Sequence, residues 1–147
     1  LDIYPINDDG NLLDAAALAS VLALKTAVLP KYENDKVLFG EFTDKPLPLV
    51  DDKMPILVTV YKINGNLLID PTSVEEKTVE AGISVAVSFP KNKPVINALQ
   101  KHGIEPFSID ELGSAFDRAI KAASYLLDIV KKELKKAKTK KATSKEK

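Results

Sequence analysis

The sequence predicts an α+β layer fold, an antiparallel or mixed sheet with helices packed on one face. Three observations carry this. From Val79 apolar residues recur at every second position through Ala81, Ile83, Val85, Val87 and Phe89, the period of a half-buried strand. In "PILVTVYKINGNLLIDP" two strand-like runs flank Asn64-Gly65, a strong two-residue hairpin turn. From Leu112 to Leu134 apolar residues step by three and four, one stripe on a long amphipathic helix.

Leu1 to Ile6 reads as a strand. "NDDGN", Asn7 to Asn11, is a turn, since Asp-Gly and Gly-Asn tolerate the positive φ that tight turns need. Asp14 is placed to cap the next helix. That helix, "AAALASVLALKTAVL", runs from Ala15 to Leu29 and is apolar almost all round. It therefore needs cover on most sides, and Pro30 ends it. Lys31 to Lys53 reads as a long loop with a short strand or two near Val37 to Phe42. The hairpin, the strand near Val79 to Phe89, a turn at "KNKP" and a strand from Val95 to Gln100 follow. "KHGIEPF" reads as a loop. Ser108 with Glu111 forms a capping box for the last helix.

Length and composition narrow the function. The chain has 147 residues, 45% hydrophobic and 29% charged, enough for one compact domain with a core. It has no Cys and one His, His102. Disulfides and cysteine-bound zinc are excluded, and any catalytic triad would have to be built on His102. The apolar run of 15 residues falls short of the ~20 that span a bilayer. Net charge is zero, yet residues 131–147 hold nine Lys and two Glu, leaving twelve basic and nineteen acidic side chains elsewhere. The body is acidic. The tail "KTKKATSKEK", residues 138–147, has no apolar content and is expected to be a disordered basic tail. It suits solubility or a non-specific contact with RNA phosphates equally well.

Candidate chemistry is sparse. Glu80 and residue 82 stand about 7 Å apart on one strand face, a spacing at which two carboxylates hold a metal or position a phosphate. Residue 82 is Gly, so one carboxylate remains, and Glu75, Glu76 and Glu80 read as a solvated strand border. His102 reads as a surface loop histidine. "DDGN" lacks the other ligands of a calcium loop, and no glycine-rich nucleotide motif is present. Asp51-Asp52 reads as solvation. Arg118 is the one arginine, so no arginine clamp for phosphate exists. No catalytic, cofactor-binding or metal-binding residue is assigned, and no cofactor is expected.

The residues also carry a family resemblance. "DIYPINDDGNLLDAAALASVLALKTAVLP" resembles the start of the second half of an RNase PH domain. "LLIDPTSVEEKTVEAGISVAV" and "INALQKHG" are similar to its later strands, and the Ser108 helix to its last helix. The likeness is greatest to the non-catalytic RNase PH-like subunit of the archaeal exosome, and covers about residues 1–134. It implies an RNase PH-like fold (ribosomal protein S5 domain 2-like) for residues 1–137. The chain starts at Leu1 inside a strand-like pattern, so a first half of the domain is expected before it.

Catalytic members end their strand motif in Glu-Ala-Asp. Here Glu80-Ala81-Gly82 stands in that place. They also follow the turn glycine with a Ser/Thr-Arg pair that holds phosphate. Here Gly10 is followed by Asn11-Leu12-Leu13. The resemblance thus implies a silent structural subunit, alternating with a catalytic RNase PH-like subunit in a hexameric ring capped by RNA-binding proteins. The ring degrades RNA from its 3′ end with phosphate, in the cytoplasm. Two alternatives stay open: an active phosphorolytic exoribonuclease working through another carboxylate such as Glu80, and an unrelated small α+β binding module.

Overall fold

The computed structural model describes the backbone of residues 1–145 and the side chains of residues 1–137. The elements run α1 (Leu12–Thr26), β1 (Val28–Glu33), β2 (Lys36–Pro46), β3 (Ile56–Ile63), β4 (Asn66–Ile69), α2 (Ser73–Glu76), β5 (Ala81–Ser88), β6 (Val95–Gly103) and α3 (Ile109–Lys145). The main sheet has the order β4-β3-β5-β6, and β1 and β2 form a separate hairpin. Every described strand pair is antiparallel, so the sheet is not mixed. The pairs β3–β4 and β5–β6 are joined by short connections, which suit antiparallel pairing, while β4 and α2 intervene between β3 and β5.

The core forms where two periods meet. Ile56, Val58 and Val60 of β3 and Ile83, Val85 and Val87 of β5 point to one side and are all buried. Ala115, Ala119 and Ala123 lie against them at four-residue steps, each 0% exposed. Such small side chains let α3 sit close to the sheet while the β-branched residues fill the space between. Ser108 and Glu111 cap α3 reciprocally: Ser108 N–H donates to Glu111 at 2.7 Å, and Glu111 N–H to Ser108 Oγ at 3.2 Å. Lys62 Nζ reaches Glu111 at 2.6 Å. That ammonium and the Ser108 bonds hold the Glu111 carboxyl below its ordinary value.

The Asn64-Gly65 hairpin is present, with both residues at positive φ, 48° and 72°. β5 differs from expectation. All eight of its residues are buried, not alternate ones. On the face away from α3 its side chains are Gly82, Ser84, Ala86 and Ser88. These are small, and the neighbouring strands set Tyr61 and His102 beside Gly82, and Thr59 and Gln100 beside Ser84.

Four local expectations are corrected. Residues 1–6 form no strand; Tyr4 and Ile6 are fully or largely exposed, and without a ladder partner an extended segment gains no strand hydrogen bonds. The first helix spans Leu12–Thr26 rather than Ala15 to Leu29, and Pro30 lies inside β1. Pairing from Val28 to Pro46 captures the residues that helical periodicity had claimed. The expected loop from Lys31 is largely a hairpin, turning at Asn34 and Asp35, both at positive φ. Finally, α1 is not enclosed, since Val21 is its one fully buried residue. Its Leu18 packs against the same core as α3, and much of its remaining apolar surface is open. The expected tail, residues 138–147, falls outside the residues whose side chains are described; the α3 backbone continues to Lys145.

Candidate functional site

Two places singled out in the sequence, the turn after Gly10 and the strand around Gly82, come together in space. Leu12 and Leu13 line an open cleft with Tyr61, Glu76, Ser84, Gln100 and His102. Sequence separation hides this. The sheet brings Tyr61 and His102 to either side of Gly82, and α1 starts above them.

The backbone donors of the turn are held by carboxylates of the chain itself. Gly10 has φ +94°, and a Cβ there would stand 2.4 Å from Pro71 O, so only glycine fits. Asp9 then staples the turn to α2, accepting from Ser73 N–H at 3.0 Å and Ser73 Oγ at 2.9 Å. Gly10 N–H donates to Asp8 Oδ1 at 2.9 Å, and Asn11 N–H to Glu76 Oε1 at 2.7 Å. Charge-assisted bonds of this kind are short and strong. The donors of the turn are thus taken by the protein's own carboxylates. The residues that follow, Leu12 and Leu13, bring neither a hydroxyl nor a cation.

The strand position is filled as well. A Cβ on Gly82 would lie 2.1 Å from His102 Nε2 and 2.3 Å from its Cε1. The imidazole occupies the space that a side chain at position 82 would need. His102 is therefore not a loop residue, as its sequence context implied: it belongs to β6, pairs with Gly82 across the ladder and meets Tyr61 edge-on, ring centroids 5.7 Å apart. The clue was available in "KHG", which directly continues the strand-like run from Val95 to Gln100, but its glycine disguised the strand.

Beneath the cleft runs a polar chain that the sequence did not reveal. Asp14 does not cap α1. Its carboxylate accepts from Thr59 N–H and Thr59 Oγ1, each at 2.7 Å, and Thr59 Oγ1 lies 2.8 Å from Ser84 Oγ. β4 ends at Ile69, opposite Val60, so Asp14 takes over the ladder partner that β3 lacks at Thr59. Asn11 stands at the start of α1 with φ 54° and makes no side-chain cap. Instead it accepts from Tyr61 Oη at 3.1 Å and donates to Asp70 at 3.1 Å. Burial, with the nearby Asp14 and Glu76 carboxylates, pushes the Tyr61 phenol up to about 12. The site therefore disfavours a further negative charge.

The three glutamates are not simply solvated. Glu75 closes a capping box with Thr72 at α2, whose N–H and hydroxyl hold its carboxyl below the ordinary value. Glu76 serves the Gly10 turn. Glu80 accepts from Asn64 N–H at 3.0 Å and Gly65 N–H at 3.5 Å, which pins the β3–β4 turn rather than reaching the cleft. Asp51 is ion-paired to Lys25. Arg118 donates to Leu67 O at 2.8 Å. Among the described residues no group of His, Asp or Glu could hold a metal ion, and no helix is long and apolar enough to cross a membrane.

With this geometry in place, residues 53–122 match the model of the 3′ exoribonuclease family, domain 2. Those residues are similar to domain 2 of that family. The exosome complex component Rrp42 of Pyrobaculum aerophilum is 39% identical over 138 residues, 92% of this chain and 48% of the relative. That of Methanosarcina acetivorans is 34% identical over 126 residues, 86% of this chain and 44% of the relative. The chain spans about half the length of the curated relatives it matches. Among solved structures, an archaeal exosome core superposes with a TM-score of 0.69 at 28% identity, covering 86% of this chain and 47% of that one. An Archaeoglobus fulgidus exosome with RNA bound to the active site gives 0.67 at 28% identity, covering 84% and 44%. The α+β fold is that of RNase PH domain 2, and the chain is similar to the Rrp42 branch of the family.

Proposed function

We propose that this chain belongs to a non-catalytic, Rrp42-like subunit of an exosome ring. Its work is to build the ring and the RNA path of a phosphate-dependent 3′-5′ exoribonuclease. The observation that carries the reading is that the two places where catalytic groups would act are already taken. His102 lies where a side chain on position 82 would reach, and Glu76 sits on the backbone donor of the Gly10 turn. A phosphate entering there meets a carboxylate, two leucines and no cation among the lining residues. The partners are a catalytic RNase PH-like subunit alternating with this one in a hexamer, RNA-binding cap subunits, and RNA. The setting is the cytoplasm.

The rival reading, catalysis through Glu80, is opposed by the two backbone bonds that hold its carboxylate on the β3–β4 turn. Phosphorolysis of single-stranded RNA separates the two. The full-length subunit alone is expected to leave RNA intact in inorganic phosphate, and shortening is expected only when the catalytic partner is added. Turnover by the subunit alone that disappears in Glu80→Gln would overturn the proposal. Failure to co-assemble with that partner on size exclusion would favour an independent binding module.

A further inference from the structure

The same cleft has a chemistry of its own, distinct from the anion chemistry it excludes. Its walls are Leu12 and Leu13, 38% and 51% exposed, with Val79 beside them. Its floor holds the Tyr61 ring and the buried Ser84. The His102 imidazole lies against the bare backbone of Gly82, braced edge-on by Tyr61, which gives it the fixed position a stacking surface needs. Neither the Gln100 amide nor the His102 ring nitrogens has a hydrogen-bond partner among the described residues. Between them these two side chains offer both donors and acceptors. Apolar walls, a held aromatic ring and uncommitted amide and imidazole groups suit an uncharged, flat, hydrogen-bonding ring. Glu76 and the nearby Asp14 disfavour the same ring bearing a phosphate.

The geometry points to a site for an unphosphorylated nucleobase, stacked on His102 between Leu12 and Leu13 and hydrogen-bonded by Gln100. This rests on the reading of the cleft as catalytically silent, and assigns it a different ligand. The base belongs to a free nucleoside or to an RNA strand, whose own phosphates would then lie outside the cleft.

The test uses the assembled complex in which only this subunit carries labelled leucine methyl groups, so that the catalytic partner gives no signal. Uridine and adenosine are expected to shift Leu12 and Leu13. Inorganic phosphate is expected to leave them unmoved, and a nucleoside 5′-monophosphate to bind more weakly than its nucleoside. Gln100→Ala, at an exposed residue with no internal bond, is expected to weaken nucleoside binding about tenfold; His102→Ala is expected to weaken it similarly, and His102→Phe to retain most of it, the scale set by one stacked base. Competition by single-stranded RNA would support the site and assign the base to a strand; its absence beside nucleoside binding would support the site and assign it to free nucleosides. Phosphate shifts without nucleoside shifts, no response to nucleosides, or full binding by both Gln100→Ala and His102→Ala would each overturn the inference. These outcomes are read apart from RNA shortening by the subunit alone, which would instead sink the silent reading.

Discussion

At the scale of single residues, the cleft depends on a matched pair. The His102 ring stands where a Cβ on Gly82 would fall, 2.1 Å from its Nε2. Gly82→Ala must therefore expel the imidazole or shift the strand, and overpacking of this kind costs about 1–3 kcal/mol. The penalty should shrink in the double variant with His102→Ala, where the space is vacated. Denaturant unfolding of the two singles and the double tests this, and additive losses would show that the two positions do not compete. Tyr61 gives a second expectation. Its folded phenol keeps its proton to about 12, against about 10 for an ordinary tyrosine. With the folded value raised, the associated stability is present below pH ~10 and is lost as pH climbs toward the folded value. Alkaline unfolding should flatten across that window in Tyr61→Phe, and an unchanged profile would remove Tyr61 as its source.

At the scale of elements, α3 owes its position to small residues. Ala115, Ala119 and Ala123 are wholly buried against β3 and β5. Ala119→Leu would push the helix off the sheet, with an expected loss of about 1–3 kcal/mol; thermal unfolding that matches the parent would mean that the contact yields freely. The β1–β2 hairpin presents the opposite case. Tyr32, Val37, Phe39 and Phe42 are exposed, Phe39 fully, and its strands make their extensive contacts with each other rather than with the sheet. An isolated two-stranded hairpin is marginal in water. Its amides should therefore exchange far faster than those of β5 in the isolated chain, as hydrogen exchange would show. Comparable protection would mean that the hairpin is stabilised by contacts beyond its own ladder.

At the scale of the whole molecule, the closed core is confined to the side chains of β3 and β5 under α3. β6, α1, the hairpin and residues 1–6 leave Leu99, Ile3, Tyr4, Ile6, Leu13 and Phe39 open. Exposed apolar area on this scale marks an interaction surface, which supports the assembly role proposed above.

The main sheet, its hairpin and the last helix were legible because each is set by local rules: period two, Asn-Gly chemistry, a three-four stripe and a capping box. The absence of a carboxylate at position 82 was equally plain. Where the sequence misled, non-local pairing had overruled a local signal. Val28 and Pro30 read as the end of a helix until β2 paired with them. Asp14 read as a cap until β3 offered a Thr59 N–H that lies beyond the end of β4. Glu76 and His102 looked like surface residues because nothing local shows that one lies on a turn sixty-five residues away, or that the other rests on a glycine across the sheet. The sequence by itself determined the fold class and which chemical groups are missing from the cleft. Only the tertiary structure decided what took their place, because sheet register and chain crossing alone set which distant side chains share a space.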